Sequence, residues 1–95
     1  MNPEQQYTVI KEVASKLGVE VKEKNLHVPG IRVKSGLCKV RGKQLFILDK
    51  KKTLREKVAL IAGCVSDFDY QKLEIPEEVK TIIYKYSGVS DDGSD

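Results

Sequence analysis

The sequence predicts an α+β domain in which a small antiparallel sheet, in the order α-β-β-β-α-α, is covered by helices on one face. Three observations carry this. Two stretches repeat their apolar residues at helical spacing behind capping signals, one stretch reads as a hairpin, and 95 residues suffice for one modest core but not two. The expected boundaries are a single domain over 1–87 and a flexible acidic tail over 88–95, "GVSDDGSD", which has almost nothing to bury.

The first helix opens at Asn2-Pro3, a cap followed by a proline whose missing N–H costs nothing there. Tyr7, Ile10, Val13, Ala14 and Leu17 then share a face, and Gly18 stands where a left-handed stop is wanted. "VEVKE" alternates Val19 and Val21 with charge, as an edge or half-buried strand does. In "KNLHVPGIRVKS", residues 24–35, Pro29-Gly30 suits a type II turn, so a loop or small hairpin is expected.

"GLCKVRGKQLFILD" is the hairpin. A two-residue loop at Gly42-Lys43, glycine first as type II′ requires, sets Val40 opposite Leu45 and Cys38 opposite Ile47. Those four apolar side chains form the face expected to be buried. Leu37, Lys39, Arg41, Gln44, Phe46 and Leu48 lie on the other, mixed face. Thr53 and Glu56 make a capping box, and the helix it opens carries Leu54, Val58, Ile61, Val65 and Phe68 as a stripe to lie across the hairpin. After the loop "DFDYQKLE", Pro76 starts a last helix with Glu77 and Glu78 in its first turn and Val79, Ile82, Ile83 and Tyr86 inside.

Composition narrows function mainly by exclusion. At 40% hydrophobic and 33% charged, the chain is globular rather than disordered. No apolar run reaches the length of a membrane span, and "MNPEQQYTV" has neither the basic start nor the apolar run of a secretory leader. Two distant cysteines are no disulfide framework, so a cytoplasmic protein with reduced thiols is expected.

From "KLGVEV" to "SGLCKVRGKQLFILDKKKTLREKVALIAG" the chain resembles the N-terminal core of the ImmA/IrrE family of zinc metallopeptidases. The resemblance lies in the element order, the Leu17-Gly18-Val19 junction, Ser35-Gly36 before the hairpin, and Leu60 shortly before the family's motif. It covers roughly half the chain. In that family the helix after the hairpin bears HExxH, whose two histidines, one turn apart, hold zinc while the glutamate polarises its water. Aligning the helices puts Ala62 and Ser66 at the histidine positions and Gly63 at the glutamate. Glu77 or Glu78 could mimic the family's third ligand, but one carboxylate does not hold the ion. The resemblance therefore implies a truncated relative without hydrolytic activity, cofactor or metal. Gly63-Cys64 reads as a tight place in the core, where small residues let a helix approach its neighbours.

Other chemistry is thinly represented. His27, Cys38 and Cys64 lack the short spacing of a zinc site, and no nucleophile set can be built without His27. A Cys38–Cys64 bridge fits a hairpin touching the next helix, but a reducing compartment opposes it. The feature with functional potential is charge. Ten basic and two acidic residues fall between Arg32 and Lys57, against seven basic and twelve acidic elsewhere, within a net charge of +3. The candidate patch is Lys39, Arg41 and Lys43 on the hairpin, Phe46 as a stacking surface, and Lys50, Lys51, Lys52 and Arg55 at the helix start.

Two roles follow. The first is a non-catalytic accessory domain that binds an unidentified protein, using the mixed face with Leu37, Phe46 and Leu48. The alternative is nucleic-acid or phosphate binding through the basic patch. The same lysines also serve simply to keep a hairpin edge soluble and unpaired.

Overall fold

The computed structural model describes residues 1–25 and 36–87. The expected loop with Pro29-Gly30, His27, and the tail over 88–95 lie outside the described residues.

Helix α1 (Pro3–Lys16) begins where the sequence puts it, because Asn2 is extended and supplies the missing acceptor. Its side-chain oxygen accepts from the Gln5 N–H at 2.8 Å, and the Gln5 side chain accepts from the Asn2 N–H at 3.0 Å, a reciprocal capping box. Gly18 ends the helix at φ 86°, a left-handed conformation that costs a β-carbon dearly, and β1 (Val19–Lys24) turns back along α1 at once.

The sheet contains β2 (Gly36–Val40) and β3 (Lys43–Asp49), with β3 in the middle, antiparallel to β2 and parallel to β1. The α+β class and the element order are as expected, but the sheet is mixed rather than wholly antiparallel. Leu45-Phe46-Ile47-Leu48 is apolar on both faces, which suits a central strand. The Gly18 and Arg41-Gly42 turns sit at the same end of the sheet, since Val19 registers beside Gln44, so β1 and β3 run in the same direction.

The hairpin corrects the expected loop. The turn is Arg41-Gly42, with φ of 51° and 81°, and Val40 pairs with Lys43 and Cys38 with Leu45. Positive φ at both central residues is the type I′ pattern, which places glycine second. This register sets Leu37 against Phe46, where the expected one would have set Lys39 against it. Apolar contact between Leu37 and buried Phe46, in place of a lysine there, offsets the strain of a left-handed arginine.

The buried face is corrected too. Val19, Phe46 and Leu48 are buried and Val21 packs on the same core, so the helices cover the face that carries Leu37, Lys39 and Gln44 as well. The reason is the third strand. Strand β1 adds Val19 and Val21 to this face but Glu20, Lys22 and Lys24 to the other, so summed over three strands the apolar balance reverses.

Helix α2 (Leu54–Val65) has its Thr53 capping box, the hydroxyl accepting from the Glu56 N–H at 3.2 Å and the Glu56 carboxylate from the Thr53 N–H at 2.9 Å. It buries Val58, Ile61 and Val65 of the expected stripe, and also Lys57, Leu60, Ala62 and Gly63, because α1, β3 and the helix over 77–85 all pack on it. The loop that follows holds a single 3-10 turn, Tyr70–Lys72, whose Tyr70 joins the core. Helix α3 (Glu77–Lys85) rests on α1 and α2 through Val79 and Ile83, with Ile82 and Tyr86 beside them. Among the described residues no helix is long and apolar enough to cross a membrane.

Candidate interaction surface

At the positions where the metallopeptidase resemblance would place its ligands, α2 is core. Ala62 is 0% exposed and Gly63 is buried. The Ser66 hydroxyl donates to the Gly63 carbonyl at 2.6 Å, a bond within its own helix end. Burial, with the Asp67 carboxylate adding to it, pushes the Cys64 thiol up to about 11, so it stays neutral and packs as a small hydrophobe. Cys38 is exposed, and the two cysteines are unbridged. Among the described residues no three His, Cys, Asp or Glu side chains converge to hold a metal.

The basic residues do not form one patch. Lys39, Arg41 and Lys43 gather at the turn end of the hairpin, whereas Lys50, Lys51, Lys52 and Arg55 follow the opposite end of β3. At ~3.4 Å per residue the length of β3 separates the clusters by roughly 20 Å. Phe46, expected to offer a stacking surface between them, is 7% exposed and faces the helices. Leu48, at 0%, is likewise removed from the mixed face expected to bind a partner. The lysine run instead makes a tied turn, in which the Lys51 N–H donates to an Asp49 carboxylate oxygen at 3.0 Å and the Lys50 N–H to the Lys24 carbonyl at 2.9 Å.

One polar cluster escaped the sequence reading. Glu23, at the end of β1, accepts from the Tyr7 hydroxyl of α1 and pairs with the Lys57 ammonium of α2 at 2.9 Å. The Tyr7 hydrogen bond, followed by that of Lys57 and its charge, holds the Glu23 carboxyl below its ordinary value against the opposing effect of burial. Burial and then Glu23 push the Tyr7 phenol up. Lys11 lies 4.7 Å and Lys57 5.8 Å from the centre of the Tyr7 ring. Every member has a partner, and three elements are joined through one carboxylate. This is a clamp. No sequence signal marks it, since Glu23 reads as one more charge alternating along a strand, and Lys57 as a flank of the apolar stripe.

The exposed apolar surface lies elsewhere. Cys38, Val40, Leu45 and Ile47 occupy the sheet face opposite the helices, and among the described residues no helix lies on it. Lys22, Lys24 and Lys43 border this face with one exposed acid, Glu20, which sits 3.4 Å from Lys22. Among the described residues strand β2 forms one edge of the sheet, and its Leu37 and Val40 are each 48% exposed. Among the described residues only Met1 and Tyr84 join them as exposed large hydrophobics. A five-residue strand thus carries half of that set, with one residue on each face. Comparison with known protein families, with curated proteins and with solved structures finds no match.

Proposed function

We propose that this chain is a non-catalytic binding domain that docks another protein along the β2 side of its sheet, in a reducing, cytoplasmic setting. On this reading it is a truncated, metal-free relative of the metallopeptidase core, keeping the helix, hairpin and helix order but not the ligand positions. The observation that carries the reading is the pair Leu37 and Val40, both half exposed, with Val40 on the same sheet face as exposed Cys38 and half-buried Leu45 and Ile47. Such a surface gains from being covered by a partner and offers an enzyme no convergent polar groups. The separation of the two basic clusters, and the burial of Phe46, favour it over the nucleic-acid alternative.

The test is site-specific photo-crosslinking in cells making the protein. A benzophenone side chain at Val40 is expected to give a protein adduct of discrete mass, while the same group at Tyr84, 73% exposed on α3, gives none. Equal labelling from both sites, or no adduct from Val40, rejects the reading. Saturable binding of labelled DNA or RNA that weakens steeply with salt would put the nucleic-acid reading in its place.

A further inference from the structure

We propose that β2 accepts an added strand, and that the added strand is an extended segment of another protein in which apolar and acidic residues alternate. This rests on the protein-docking reading above and names its mode and partner chemistry.

The two edges of the sheet are built differently. Strand β1, "VEVKEK", carries four charged residues in six, alternating in sign, and its Glu23 is engaged by Tyr7 and Lys57. Charge of that density is how an edge is kept from pairing. Strand β2, "GLCKV", carries one charge in five residues and exposes Leu37 and Val40 on opposite faces. Among the described residues its outer backbone groups have no neighbouring strand. A single added strand supplies hydrogen bonds to that edge and one row of side chains on each face, beside Val40 on one and Lys39 on the other, which a helix laid on one face does not.

Charge selects the partner. Lys39 on β2, Arg41 in the turn and Lys43 opposite Val40 are the charged residues of the hairpin's paired stretch, and all three are cations. A second copy pairing through the same strand would bring these cations together within about a Debye length. An alternating strand with its apolar row beside Cys38 and Val40 sets its acidic row on the face of Leu37 and Lys39, and so places a carboxylate beside Lys39 instead.

The probe is a fluorescein-labelled synthetic decapeptide alternating valine and glutamate, with a valine–lysine peptide as control, titrated into the full chain. Saturable binding of the acidic peptide alone, weakening with salt, is expected. Amide exchange should slow in Gly36–Val40 and not in Val19–Lys24. Lys39→Glu, at an exposed site where folding is not at risk, should weaken the acidic peptide roughly fivefold. Binding of both peptides alike, or binding without slowed exchange in β2, overturns strand addition. So does a concentration-dependent dimer that protects β2 without peptide. A Val40 crosslink to a cellular protein combined with failure of the acidic peptide would leave the docking reading standing and remove only this mode.

Discussion

Exchanging Leu48 and Leu45 for alanine, one at a time, measures which face of the sheet the helices cover. Both are leucines of β3 three positions apart, so alternation puts them on opposite faces, and each substitution deletes the same carbons. Leu48 is 0% exposed within the core, whereas Leu45 is half-buried opposite Cys38 and outside that core. At about 0.8 kcal/mol per buried methylene, Leu48→Ala forfeits about 2.4 kcal/mol of transfer free energy, and the cavity it leaves raises the cost to about 3–5 kcal/mol. For a domain of this size that lowers Tm by about 15 to 30 °C. Leu45→Ala loses only partial burial and some strand propensity, about 1–1.5 kcal/mol. Urea unfolding followed by circular dichroism, at unchanged m value, reads both. Equal costs, or a larger one at Leu45, would mean that the face bearing Cys38, Val40 and Ile47 is the covered one, and the docking argument would fall with it.

Thr53→Ala removes the cap of α2 and should cost about 1 kcal/mol by the same urea assay. Arg41→Asn relieves a left-handed residue at φ 51° and should stabilise by about 0.5 kcal/mol, whereas a register with Gly42-Lys43 as the loop predicts no gain. Glu23 is held below its ordinary 4.5, first by Tyr7 and then by Lys57, so the clamp's contribution is complete above that pH and fades as pH falls through the folded value. Stability profiles of the native chain and Glu23→Gln should therefore converge in acid and diverge toward neutrality. In the folded protein at pH 8, iodoacetamide should label exposed Cys38 well before Cys64, whose thiol titrates near 11, and mass spectrometry of a time course shows the order.

The helices were legible because their signals are local. Asn2, Gly18, Thr53 and Pro76 act within a few residues of themselves, and each marks the helix boundary expected of it. The hairpin was legible as a hairpin, but its turn and buried face were not, because both depend on β1. Read alone, Cys38, Val40, Leu45 and Ile47 make the more apolar side. With Val19 and Val21 beside Gln44 and Phe46, the other side wins. The same long-range pairing hid the clamp, since Tyr7, Glu23 and Lys57 meet only once β1 lies beside β3. Phe46 and Leu48, expected on a binding face, are core for the same reason, while Leu45 and Ile47, expected inside, are only half-buried.

The parallel seam between β1 and β3 has a consequence for how the chain is made. Helix α1 and strand β1 leave the ribosome before β3 and α2, so Ile10, Val13, Ala14 and Val19 emerge ahead of the residues they pack against. Their counterparts, Phe46, Leu48, Val58 and Ile61, arrive only after β2 and the turn have been synthesised. The helix–strand pair therefore completes its core only after β3 and α2 are made, and closing the β1–β3 seam carries the loop-closure cost of a non-local parallel pairing.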